Sequence, residues 1–299
     1  MDGQKKGSRS VLASICFCAL IIYSLAMIIP IAWALVNSLK SYDEYTIFEN
    51  ILGFPKEFSL KTIIENYMSA WTYGFASGVV DGKMMYYTLP QQFIHSLLYA
   101  GGCTLVKLIS TTCVAYAVAR YKFKFGNVIY TIVIVAMILP LFGTMSSEIL
   151  LVKALGVYDT FWGLYILNSH FLGMDFLILY AQFKMIPKEY TEVARVDGAS
   201  HLYTMTRVIL PLAKGTMGIL FLNGFVSLWN AYEIPMVYLP SKPVLALGMY
   251  QFNNRLGAVV SSVPVRISYV IVTVLPVLIL FVVFHKKMMG NLAIGGLKE

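Results

Sequence analysis

Long apolar runs alternate with short polar connectors along this chain, and the run lengths set the first expectation. Residues 11–39 carry no charge for 29 positions. As a helix, at ~1.5 Å per residue, that run outspans the roughly 30 Å hydrocarbon core of a bilayer. Further apolar runs cover 91–118 (interrupted by Lys107), 126–147, 160–183 (carrying Asp175), 215–232 and 267–284. Six such runs predict an all-α polytopic membrane protein with six transmembrane helices. The first run is too long for a signal peptide, whose apolar region spans only about 7–15 residues, so it is expected to remain as the first span. The predicted organisation is a terminal segment 1–10, a first span 11–39 and a polar connector 40–88. A core 89–285 follows, with five spans and a polar loop at 184–214, and the tail is 286–299.

Composition agrees with this pattern. Apolar residues make up 58% of the chain and charged residues 13%, against about 25% charged in soluble domains. The net charge of +8 does not point to nucleic acid, because the basic residues lie in short connectors rather than on one face. Fourteen of them fall in the N-terminal segment, the 120–124 loop, the 184–214 loop and the tail, against eight in the longer connectors of the other side. By the positive-inside rule both termini and the 184–214 loop are expected in the cytoplasm, and the protein in the cell (plasma or inner) membrane. Cys16, Cys18, Cys103 and Cys113 all sit inside apolar runs and read as packing residues rather than as a disulfide or metal framework.

Lys107 and Asp175 are the charges placed deep within spans. Each lies about fifteen residues into a helix descending from the same side, so their depths match within a few ångströms. An unpaired charge at that depth costs at least ~2.5 kcal/mol. They are therefore expected either to pair or to line a wet cavity, with Asn168, Ser169 and His170 as further polar groups there. Trp229 and Asn230 stand near the outer end of the fifth run, where an aromatic serves as an interface anchor or borders the path. His95 and His170 read as locally hydrogen-bonded rather than metal-ligating, and no metal site is expected.

Enzyme chemistry finds no support. Lys214-Gly215-Thr216 has phosphate-loop residue types in the wrong order, and no HExxH, GxSxG or CxxC pattern occurs. A secondary transporter, in which Lys107 and Asp175 would carry ion coupling, should show internal repeats, and none is evident.

The polar loop is the most informative stretch. Pro187 suits a helix start and Gly198 the position after a helix end. Tyr190, Val193 and Ala194 form a small apolar ridge on the helix between them. Asp197-Gly198 reads as a turn, Ser200 as the N-cap of a second short helix over 201–210, and Pro211 as its limit. Two short helices with no core of their own suggest a knob for another protein's groove.

At these residues the chain resembles the permease subunits of ATP-binding-cassette importers. Their Glu-Ala-Ala loop is matched by Glu192-Val193-Ala194, Asp197-Gly198-Ala199, Val208 and Leu210-Pro211, with departures at Val193, Met205 and Gly215. Also similar to the carbohydrate branch, and within it to maltose-type second permease subunits, are AYAVARYKFKFGN at 115–127, the Met-x-x-Pro at 137–140, Trp229-Asn230 in 225–230 and the tail 295–299. The resemblance is strong over roughly 90–299. It implies the type I importer membrane fold and a coupling loop at 192–211 that docks on an ATPase. It also implies four partner chains: a second homologous permease, two ATPase subunits and an extracytoplasmic solute-binding protein. ATP and Mg would be bound by the ATPase and no cofactor by this chain. The substrate is expected to be an oligosaccharide, with a glycoside or polyol phosphate as the alternative. Tyr250, Phe252, Asn253, Asn254 and Arg255 in the last connector are candidates to meet the binding protein or a sugar.

Overall fold

The computed structural model describes residues 3–121, 123–139, 143–255 and 262–292, with side chains from 13 to 282 within those segments. Pro140 and the tail motif 295–299 lie outside the described residues. Two compact units emerge, one of Met1–Gly74 with Phe252–Thr273 and one of Phe75–Gln251 with Val274–Glu299.

In the first unit, α1 (Gly3–Ser38) runs into a polar knot, followed by α2 (Tyr42–Thr46) and α3 (Leu60–Tyr73). The helix ends because its last carbonyls find side-chain donors. Asn66 Nδ2 donates to the carbonyls of Ser38 (2.9 Å) and Lys40 (2.8 Å). Lys40, fully buried, donates to Asn37 Oδ1 (2.9 Å) and to the Asn50 carbonyl (2.5 Å). Burial lowers the pKa of that ammonium, and Glu44 opposes the shift. Gly74 lies close against the Tyr269 ring, which stacks on buried Phe252 at 4.6 Å.

The second unit opens with a hairpin, β1 (Ala76–Val80) antiparallel to β2 (Lys83–Tyr87). Asp81 and Gly82 both have positive φ, as a two-residue Asp-Gly hairpin turn requires. This element was not expected within the 40–88 connector. Next come α4 (Leu89–Arg120), which includes a π-helical stretch Leu97–Gly101, and the apolar α5 (Gly126–Ile138). α6 (Met145–Ala154), α7 (Phe161–Leu167), α8 (Met174–Met185) and α9 (Glu189–Val196) are short. The long α10 (His201–Asn230), α11 (Glu233–Tyr238), α12 (Leu245–Asn253) and α13 (Val263–Leu292) complete the helices.

The described residues do not form the six expected spans. Among the described residues four helices are long and apolar enough to cross a membrane: Ala13–Ser38, Leu89–Arg120, His201–Asn230 and Val263–Val282. The run 126–147 is cut down to the 13 residues of α5, about 20 Å long, and Gly143 beyond it has φ +79°. The run 160–183 is divided between α7 and α8, with Gly173 at φ +135° before α8. Apolarity alone does not reveal such breaks. The opposite error occurred at Pro211, which was expected to stop a short helix. α10 instead continues through it, after a π-helical stretch Thr204–Ile209. Proline removes a donor and strikes the carbonyl four residues back, and a widened turn ahead of it relieves that contact.

The core of this unit joins α4, α8 and α10. Ala115, Tyr116, Phe176, Leu179, Phe183, Ile209 and Ala213 are buried together. Tyr116 meets Phe183 edge-on at 5.6 Å. A second cluster at the other end gathers Tyr99, Cys103, Val152, Leu164 and Tyr238. There the Tyr238 hydroxyl donates to Glu148 Oε2 (2.9 Å), and burial together with that carboxylate pushes the phenol up to about 12.

Candidate functional site: a polar pair and a clamped loop on two parallel helices

α4 and α8 run side by side in the same direction, and polar groups tie them at two levels. At the first level Lys107 Nζ lies 2.8 Å from Asp175 Oδ2, with the two side chains about a third exposed, at 34% and 28%. Asp175 stands in the first turn of α8, after the break at Gly173. The pair borders a cavity of about 120 Å³ together with Thr104, Asn168, Ser227 and Gly224. Lys107 and Asp175 are thus in contact at the edge of this cavity. Asn168 is in place, although its amide donates to the Leu164 carbonyl (2.8 Å). Ser169 donates to the Ile166 carbonyl (2.6 Å) and His170 is not on the cavity wall. Gly224 permits close approach of α10, since a Cβ there would press to 3.0 Å on Thr104 Cγ2.

Trp229 is not at a surface. It is buried against Phe225 (5.3 Å) and Phe93 (5.8 Å), while Asn230 is exposed and bonded to the Val226 carbonyl. His95 meets the Pro243 carbonyl at 3.0 Å. Of the last-connector candidates, Phe252 is buried, Tyr250 stacks on Tyr232 at 4.6 Å, and Arg255 donates to the Tyr73 carbonyl (3.0 Å).

At the second level, about 20 Å further along α4, the guanidinium of Arg120 grips the polar loop. Nη1 donates to the Ile186 carbonyl (2.7 Å), and Nη2 donates to the Pro187 carbonyl (3.1 Å) and to Thr191 Oγ1 (2.8 Å). Tyr121 adds a hydrogen bond to His201 Nδ1 (3.1 Å). Arg120 entered the sequence reading only as a basic residue in a loop motif. A fork of donors at the end of a span, close to a Pro-punctuated loop, was the available signal.

Within the loop, α9 ends in a Schellman motif. The Ala199 amide reaches back to the Ala194 carbonyl (2.9 Å) and the Gly198 amide to the Arg195 carbonyl (3.0 Å). Gly198 has φ +78°, a conformation that costs other residues roughly 1–2 kcal/mol. Ser200 caps the next helix by accepting from the Tyr203 amide (3.2 Å). That helix is the start of α10, so the loop holds one short helix rather than two. Ala194 is buried and anchors α9, whereas Tyr190, Val193 and Val196 are exposed, Val196 at 87%. Glu192 and Asp197 are exposed and Ala199 half-buried. Leu210 packs beside the core, and Pro211 is exposed in the first turn after the π stretch.

The described residues thus form a multi-pass helical protein whose polar loop is braced against its spans. The chain belongs to the family described as binding-protein-dependent transport system inner membrane component, which matches residues 111–289. It is accordingly a permease subunit of an ATP-binding-cassette importer and not an enzyme. It is 29% identical to the diacetylchitobiose uptake system permease protein NgcG of Streptomyces coelicolor, over 95% of this chain and 88% of that one. It is 26% identical to the arabinooligosaccharides transport system permease protein AraQ of Bacillus subtilis, over 92% of each. It is 25% identical to the melibiose/raffinose/stachyose import permease protein MelC of the same organism, over 93% and 94%. Its fold matches a chain from the crystal structure of a bacterial transporter importing the acidic polysaccharide alginate, with a TM-score of 0.75 at 19% identity, covering 93% of this chain and 97% of that one.

Proposed function

We propose that this chain forms half of the translocation path of an oligosaccharide importer and that the 192–211 loop receives the movement of an ATPase subunit. The second half would be a homologous permease, with two ATPase subunits on the cytoplasmic side and a solute-binding protein outside. The sugar class is supported by the substrates in the names of NgcG, AraQ and MelC. The charge distribution supports a cytoplasmic loop.

The observation that carries the coupling role is the division of labour on α9. Its Ala194 side is buried, Arg120 holds its first turn, and Tyr190, Val193 and Val196 are left outward. An outward apolar ridge on a short helix fixed at both ends suits a groove on another protein. Because α8 leads directly from Asp175 to this loop, a push on α9 would travel along α8 and α4 to the Lys107–Asp175 level.

The test is purification of the tagged protein from its native membrane. An ATPase and a second permease should accompany it. Val193→Glu and Gly198→Val should each lose the ATPase while inserting normally. Uptake that persists without any ATPase and follows an ion gradient would sink the proposal.

A further inference from the structure

On the other side of α9 lies a groove of about 640 Å³, between the end of α4, the start of α5, α8 and α9. Arg120, Lys124, Lys184, Lys188 and Arg195 border it, against a single carboxylate, Glu192. The ion pairs among the described residues are Lys61–Glu65, Lys107–Asp175 and Lys242–Asp159, so none of the five cations is engaged in one. Arg120 donates to neutral acceptors only. The Lys184 ammonium stands 5.2 Å over the Tyr180 ring, itself part of the wall. Tyr116 and Val118 supply apolar wall.

Position narrows the occupant. The groove takes in the last turn of a membrane-length helix, which ends at Arg120, and Gly126, the first residue of apolar α5. That is headgroup level in a bilayer. From groove-lining Asn127 the same face of α5 continues through Thr131, Ile134 and Ile138 at i+4, i+7 and i+11, with Ile138 73% exposed. A basic pocket continued by a mostly apolar helix face matches a molecule with an anionic head and a hydrocarbon tail. The apolar ridge assigned to the ATPase uses different residues of α9, so both can be occupied at once.

We propose that this groove binds the phosphate headgroup of an anionic phospholipid, with an acyl chain lying along α5. This does not depend on the ATPase-coupling role, and it can fail or hold independently of it.

The full-length protein, with whatever subunits accompany it, is placed in nanodiscs of phosphatidylcholine containing phosphatidylglycerol. Native mass spectrometry then counts the phosphatidylglycerol retained. Lys184→Gln with Lys188→Gln removes two groove charges and spares the Arg120 clamp. Lys61→Gln with Lys83→Gln removes two exposed charges elsewhere. At about fivefold per lysine near an anionic head, the groove variant should retain the lipid roughly 25-fold more weakly, and the control should match the parent. The same spectra report intact assembly, so a misfolded variant is recognised. Equal retention by both variants overturns the proposal. Displacement of the lipid by millimolar inorganic phosphate overturns it in favour of a free-anion site. Retention abolished by added ATPase subunit overturns it in favour of an acidic protein segment.

Discussion

Replacement of Arg120 by alanine removes three hydrogen bonds from one point, of 2.7, 2.8 and 3.1 Å. Bonds from a charged donor are worth about 1.5–3 kcal/mol each when well shielded. These are only partly buried, so about 1 kcal/mol apiece is the appropriate scale. The loop should therefore be released from α4 by roughly 2–3 kcal/mol, a factor of about 30–150 in the open population. Lysine keeps the charge but not the planar fork, and can satisfy one or two acceptors. Arg120→Lys should recover about half the loss. Hydrogen exchange in the full-length protein reads this directly at the Thr191, Glu192 and Ala199 amides, which are bonded within the loop. Their protection should fall by about one and a half to two log units in the alanine variant, with the middle of α4 unchanged. Sugar uptake should fall while ATP hydrolysis continues. Unaltered loop protection in Arg120→Ala would refute the clamp. Lysine behaving like alanine would mean that charge alone contributes nothing there.

Two further outcomes are expected. Lys107→Met and Asp175→Asn should each lower resistance to unfolding in bilayers, and the double variant should lose less than the sum of the two. The cycle should give a coupling of about 0.5–1 kcal/mol, since the pair is partly exposed rather than sealed, and additivity within about 0.2 kcal/mol would show that the contact carries no energy. Lys40 has a folded-state pKa below its unfolded value, so the unfolded chain binds more protons as pH rises from the lowered value toward the ordinary lysine range. Stability of the Lys40-containing unit should therefore increase with pH across that window. The increase should vanish in Lys40→Met, and thermal unfolding scans from neutral to alkaline pH would reveal either failure.

What the sequence disclosed and what it hid divide along physical lines. Lys107 and Asp175 were legible because a charge in an apolar run has few solutions. Gly198 and Ser200 were legible because helix ends demand particular chemistry. The span count was not, because hydropathy sums over Gly143 and Gly173 without registering the backbone turns at those positions. Pro211 misled in the other direction, since a stop signal can be absorbed by a wide turn upstream. The hairpin at Asp81-Gly82 is signalled by its turn dipeptide and the β-prone residues beside it, within a connector whose charges dominate its composition. Lys40 was unreadable as a buried group. A lysine next to a span normally marks the water boundary, and only its contacts with Asn37 and Asn50 distinguish it.

The π-helical stretch Thr204–Ile209 has a consequence for angular phase. A wide turn accommodates one residue more than an α-turn, so the side chains of α10 above it are rotated by about 100° from where an unbroken α-helix would point them. The orientation of Leu220, Gly224 and Leu228 toward the Lys107–Asp175 cavity is thus set partly by one surplus residue near Pro211. Deleting a single residue from that stretch would turn another stripe of α10 toward the cavity with no substitution at Leu220, Gly224 or Leu228.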